Sequence, residues 1–159
     1  MPNTYWKAAC LGVIAGMRSM GAPALVSAYL VRTQSPALAE SPLKWLGTPK
    51  VANALRGLAL GEIVGDKLPM VPARIAPAPL TARAISGGGS AAALCLAEGK
   101  RVEIGAAIGV AAALASSFGF YYLRRWAGQK GAPDPVLGAA EDALAYGVGW
   151  NVLTWAGMF

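Results

Sequence analysis

Arg18 sits in the middle of the first long apolar stretch of the chain, Ala8 to Val31, within the run Gly16-Met17-Arg18-Ser19-Met20. A stretch of that length is enough to cross a bilayer, which takes roughly 20 apolar residues. An arginine near mid-span costs about 2.5 kcal/mol or more on insertion scales. It is tolerated only where it faces protein, water or a partner anion. The sequence therefore points to a membrane protein with a polar interior, and the position of Arg18 says that this interior lies deep.

Composition agrees. Of 159 residues, 55% are hydrophobic and 14% are charged, against about 25% charged in a typical soluble domain. Mean hydropathy is +0.46. The apolar residues are mostly small, with 20 glycines, which suits helices that approach closely in lipid. One integral membrane domain, residues 1–159, is expected. The net charge of +6 does not indicate nucleic-acid binding. The basic residues stand singly or in pairs between apolar runs, as interfacial anchors do.

The chain has no histidine, which removes the commonest acid–base group and metal ligand. Cys10 and Cys95 lie within apolar runs and read as small buried hydrophobes rather than a disulfide or metal pair. No metal and no cofactor are expected, and the chain is not expected to be an enzyme. The N-terminus lacks a basic n-region, and its apolar run is longer than a signal-peptide core. It should be retained as the first span.

Five apolar segments can be marked. The first is Ala8 to Val31, with Pro23 expected to kink or divide it. A polar loop follows, Arg32 to Gly47. The second segment opens at Thr48-Pro49, a strong helix start, and carries Gly57, Gly61 and Gly65 on one face. The stretch Leu68 to Arg83 holds Pro69, Pro72, Pro77 and Pro79, which favours extended backbone, either as a surface loop or re-entrant. The third segment, Ala84 to Ala97, is short and contains Gly87-Gly88-Gly89, so it reads as a thin or broken span. The fourth, Val102 to Leu123, is full length and pairs Gly105 with Gly109. Tyr121, Tyr122 and Trp126 beside Arg124-Arg125 anchor its end. The fifth opens at Asp134-Pro135 and runs to the C-terminus.

The expected fold is all-α: a polytopic membrane helical bundle of about five segments, some broken or re-entrant. Segments one and four share glycine spacing, and segments two and five share a cap–proline start followed by acids. These likenesses suggest a weak inverted repeat. Basic residues are nearly balanced between the two sides, with a slight preference for a cytoplasmic N-terminus.

The sharpest constellation is Gly61-Glu62-Ile63-Val64-Gly65-Asp66-Lys67-Leu68-Pro69. Glu62 and Asp66 are four apart and project from one helical face. In a membrane interior such a pair can take a proton, a metal cation or a cationic solute. Arg18 and Lys67 are internal counter-charges, and Glu141-Asp142 supply a second acidic pair of which one member should face inward. Ser19 and other serines can line a polar path, but none has an activating base. The plainer alternative is structural: Arg18 pairs with Glu62, Asp66 or Asp142 simply to hold the bundle together. The glycine stripes likewise read first as packing surfaces. Gly87-Gly88-Gly89 is a poor phosphate loop, because no Lys-Ser/Thr follows it.

Gly16-Met17-Arg18-Ser19 with Pro23, Gly61-Glu62 with Asp66-Lys67-Leu68-Pro69, the set Pro72, Arg74, Pro77, Leu80 and Arg83, and Glu141-Asp142 resemble, in order and spacing, a bacterial membrane protein family, domain of unknown function 4126. The resemblance implies a multi-pass protein of the bacterial inner membrane. It directs attention to Arg18, Glu62, Asp66, Lys67, Arg74, Arg83, Glu141 and Asp142 as the polar set, and implies no biochemical activity.

The expectation is a small transporter or channel for an ion or small polar solute, with Arg18, Ser19, Glu62, Asp66, Lys67, Glu141 and Asp142 at its site. Arg74 and Arg83 would support it from the proline-rich loop. Gly57, Gly61, Gly65, Gly105 and Gly109 would serve helix packing. Membrane lipid and a second copy of the chain, most simply a dimer, are the expected partners. The runner-up is a non-transporting membrane subunit that binds a partner protein through its glycine faces. A fainter third reading is an intramembrane enzyme acting on lipid.

Overall fold

The computed structural model describes residues 4–65, 76–131 and 134–154, with the side chains of 134 and 135 left aside. Every regular element among them is helical: α1 (Thr4–Met17), α2 (Gly21–Thr33), α3 (Pro36–Ala39), a 3-10 turn (Lys44–Gly47), α4 (Pro49–Gly65), α5 (Pro77–Ala97), α6 (Val102–Gln129) and α7 (Asp134–Thr154).

The first apolar segment is two helices rather than one span. The break falls at Arg18–Met20, ahead of Pro23. Pro23 is the third residue of α2, where its missing N–H is one of the four that a helix start leaves unbonded anyway. The expected division is therefore present, and Pro23 sits in the first turn of the second helix. The two halves form a hairpin. Thr4 Oγ1 and Lys7 Nζ, at the start of α1, reach the Glu98 carboxylate at 2.7 and 2.8 Å. Tyr29, late in α2, donates to the same carboxylate at 3.1 Å. The chain thus enters beside Glu98, turns at Arg18–Met20, and returns beside Glu98. At 1.5 Å per residue each arm is about 20 Å long.

Prolines also start α5 rather than preventing it. Pro77 and Pro79 occupy its first turn, so the helix runs 21 residues from Pro77 to Ala97. This corrects two expectations at once. Arg83 is a helical residue, 6% exposed, and not part of an extended loop. Gly87-Gly88-Gly89 lies inside an unbroken helix. The glycines Gly99 and Gly131, at φ +64° and +83°, stop α5 and α6 in the left-handed conformation that favours glycine at a helix end.

α1, α5 and α6 make the tightest packing. Gly12 lies against the carbonyl of Gly109, Gly109 against the carbonyl of Gly87, and Gly105 against Cys95. A Cβ at Gly16 would strike Ser116 and the Ala113 carbonyl. These pairings run α1 parallel to α6 and α5 antiparallel to both. Helices carrying small residues in these positions bring backbones into direct contact. Ser116 and Ser117 bond to the Val13 and Gly16 carbonyls across the α1–α6 seam, at 3.0 and 3.3 Å. Gly57, Gly61 and Gly65 behave differently: a Cβ on any of them would meet nothing within 4 Å among the described residues, so they form no packing face there.

α2 is flanked by α4 and α7, and Leu11, Ile14, Leu25, Val26, Leu30, Leu94 and Leu153 join the arms of the hairpin to α5 and α7 in one core. Segment one, a hairpin, has no counterpart in segment four, which is the single 28-residue helix α6. The proposed pairing of those two segments as a repeat therefore fails.

A buried polar junction at the helix break

Met20, the residue that opens α2, has no side-chain cap of its own. Glu62 of α4 supplies one from outside. Its Oε1 accepts from the Ser19 backbone N–H at 2.8 Å and the Ser19 hydroxyl at 2.7 Å. Its Oε2 accepts from the Met20 N–H at 2.8 Å. A carboxylate in that position satisfies donors that a helix start leaves open and complements its positive end.

Arg18 stands at the opposite sign of end, just past the last residue of α1, where a cation complements the carbonyl terminus. It is 3% exposed. Its Nε lies 2.6 Å from Oδ1 of Asp142 on α7. The Ser19 carbonyl accepts from the Ser86 hydroxyl of α5. Arg83 is buried one turn before Ser86, on the side of α5 that turns towards the break. The phenol of Tyr146 lies one turn beyond Asp142 on α7, and its buried hydroxyl has no hydrogen-bond partner among the described residues.

The residues expected at the site divide into three groups. Arg18, Ser19, Glu62 and Asp142 are brought together at the break. Glu141 is not with them. It is 5% exposed and forms a two-pronged pair with Arg124 of α6, Nε to Oε1 at 3.0 Å and an outer nitrogen to Oε2 at 3.2 Å. Both neighbours on α7 are therefore ion-paired, in different directions, whereas one was expected to face inward. Asp66, Lys67 and Arg74 lie outside the described residues. Among the described residues, the three hydrogen bonds to the Glu62 carboxylate come from the hairpin tip.

Sequence reasoning missed a second polar cluster, at the open end of the hairpin. Glu98 gathers Thr4, Lys7 and Tyr29, and the Lys7 side chain is only 3% exposed. Burial pushes the Glu98 carboxyl up. The Lys7 and Thr4 hydrogen bonds, the Lys7 charge and the Tyr29 hydroxyl outweigh it and hold the carboxyl below its ordinary value. A lysine at the threshold of the first apolar run was a signal for this cluster. Glu98 itself, in an exposed-looking turn 91 positions away from Lys7, carried none.

The fold and the junction define a class: a small all-helical protein built around a hairpin whose charged break is buried among longer helices. The chain belongs to the domain of unknown function 4126 family, whose model matches residues 7–156. No match is found among curated proteins or among solved structures.

One helix, Val102–Gln129, is long and apolar enough to cross a membrane, and only 22% of its most apolar stretch is buried by the rest of the chain. Among the described residues no group of three or more Cys, Asp or Glu is placed to hold a metal ion.

Proposed function

We propose that this protein is a multi-pass membrane transporter in which α4, α5, α6 and α7 cross the bilayer and the α1–α2 hairpin re-enters from one side. The outward faces support membrane embedding. Leu58, Leu60 and Val64 on α4, Ile85 on α5, Phe118, Leu123 and Trp126 on α6, and Leu144 and Val148 on α7 are all exposed. A soluble protein rarely leaves apolar surface so continuous. Arms of about 20 Å are shorter than the roughly 30 Å hydrocarbon core, which fits a hairpin that stops part-way.

The observation that carries the transport reading is the meeting of two half-helix ends, of opposite sign, beside buried ionised groups. Broken helices of this kind at mid-depth are how many transporters hold an ion or polar solute, because they offer backbone groups where the bilayer offers none. Here Arg18, Glu62 and Asp142 hold the junction closed.

The test is flux into liposomes containing only this protein, across a panel of small cations, anions and metabolites at several pH values. Flux that depends on Glu62 supports the reading. Absence of flux for every solute moves the assignment to the second one.

That second reading, a non-transporting subunit, also has an observation behind it. Gly57 and Gly61 lie bare on the outer face of α4 beside Leu58 and Val64, with none of the described residues against them. If α4 meets another protein or a second copy there, Gly57→Leu with Gly61→Leu should lower the mass of the complex in mild detergent. Gly105 and Gly109 do not serve for that experiment, since they are consumed by internal packing.

A further inference from the structure

Outside the junction, a cleft of about 470 Å³ lies between α4 and α7, floored by α2. That volume is within the roughly 300–1,000 Å³ of small-ligand sites. Its character changes along its length. Towards the open end of the hairpin it is lined by Arg32 and Arg56, with Trp150; deeper, by Ala24, Ile63 and Tyr146. Trp150 carries the Arg32 guanidinium 4.7 Å from its ring. Arg56 bonds only to Asn53 of its own helix, at 3.1 Å. Neither arginine is ion-paired with a described carboxylate. Lys7, Arg18 and Arg124, by contrast, each hold one. The cleft therefore presents, at one end of an apolar trough, two guanidinium groups that no described carboxylate compensates.

We propose that this cleft seats one anionic phospholipid, its phosphate between Arg32 and Arg56 and one acyl chain along Ala24, Ala28, Ala59 and Ile63. Charge complementarity selects the headgroup, since guanidinium forks match phosphate oxygens. The apolar lining selects a chain rather than a free anion. A membrane lipid is the occupant because the walls of the cleft continue into the exposed apolar faces of α4 and α7, so it is reached sideways from the bilayer. The inference rests on the membrane placement proposed above and not on transport.

Native mass spectrometry of the full chain in a non-ionic detergent tests it, with phosphatidylglycerol and phosphatidylcholine of identical chains as probes. Wild type should retain one phosphatidylglycerol at least tenfold more strongly than phosphatidylcholine. Arg32→Gln with Arg56→Gln should abolish that preference. Both side chains are exposed, so the fold should survive. Leu60→Asn, on the exposed wall, should weaken retention of both lipids. Equal retention of the two lipids by wild type overturns the proposal without recourse to any variant. So does an unchanged preference in the double variant, or full displacement of the lipid by equimolar inorganic phosphate. Lipid retention with no flux leaves this inference standing and removes the transport reading. Flux without lipid preference does the reverse.

Discussion

Nε of Arg18 donates to Oδ1 of Asp142 at 2.6 Å, joining the end of α1 to the middle of α7 across 124 positions of sequence. The arginine is almost wholly buried, and the carboxylate is 21% exposed. Removing one member of such a pair strands the other's charge, at a cost of about 3–5 kcal/mol. Arg18→Ala should therefore destabilise the protein strongly, and Arg18→Ala with Asp142→Asn should recover part of the loss. Thermal unfolding in one detergent compares them. A double variant no more stable than Arg18→Ala would show that pairing is not why the arginine is there.

Glu62 should matter to the hairpin tip before it matters to anything else. Loss of a helix N-cap costs about 0.5–2 kcal/mol, and bonds to a charged acceptor lie towards the upper end of hydrogen-bond strengths. Glu62→Ala is expected to lower stability by about 2 kcal/mol. Glu62→Gln should recover little, because its NH2 group would face the Ser19 or Met20 donors. Hydrogen exchange reads this directly: the Ser19 and Met20 amides should exchange faster in both variants while α6 is unaffected.

The glycines should separate into two kinds. Gly109→Ala pushes a Cβ into the Gly87 carbonyl, and Gly12→Ala pushes one into Gly109. Overpacking of this sort costs about 1–3 kcal/mol. Gly61→Ala meets nothing among the described residues, and alanine is favoured over glycine in a helix by about 1 kcal/mol. A melting series should show losses at Gly12 and Gly109 and no loss at Gly61. A loss at Gly61 in nanodiscs but not for dispersed monomer would locate a partner on that face.

Glu98 makes stability depend on pH. Its folded carboxyl is held below the ordinary value of 4.5. The stabilisation is therefore complete above about 4.5 and disappears as pH falls through the lowered folded value. Unfolding temperature should drop on acidification below that point in wild type. In Glu98→Gln the drop should be smaller, from a lower starting stability, because Lys7 is left buried without its counter-charge. Parallel pH profiles for the two proteins would remove Glu98 from the account.

Helical identity was readable locally, because the signals act within one or two turns. Thr48-Pro49 and Asp134-Pro135 mark the starts of α4 and α7, and Gly99 and Gly131 mark stops. The same local signals misled at Pro77 and Pro79. A proline forbids a helix interior but suits a first turn, and only the finished helix says which one it occupies.

An arginine in an apolar run requires a partner, and that requirement was visible in the sequence alone. Which partner it takes was not. Asp142 and Glu141 are adjacent, yet one turns to Arg18 and the other to Arg124, because α7 lies between the hairpin tip and α6. Glu62 read as half of an acidic pair, and the fold gives it a further role as the cap of α2, created only when α4 crosses the break. The glycine motifs looked alike and were sorted by neighbours: Gly105 and Gly109 face α5, and Gly57 and Gly61 face outward. Residue type and spacing thus determined the helices, the small-residue faces and the need for buried charge compensation. The tertiary structure decided every pairing, because those contacts join residues 17 to 124 positions apart, far beyond the four-residue reach of helical periodicity.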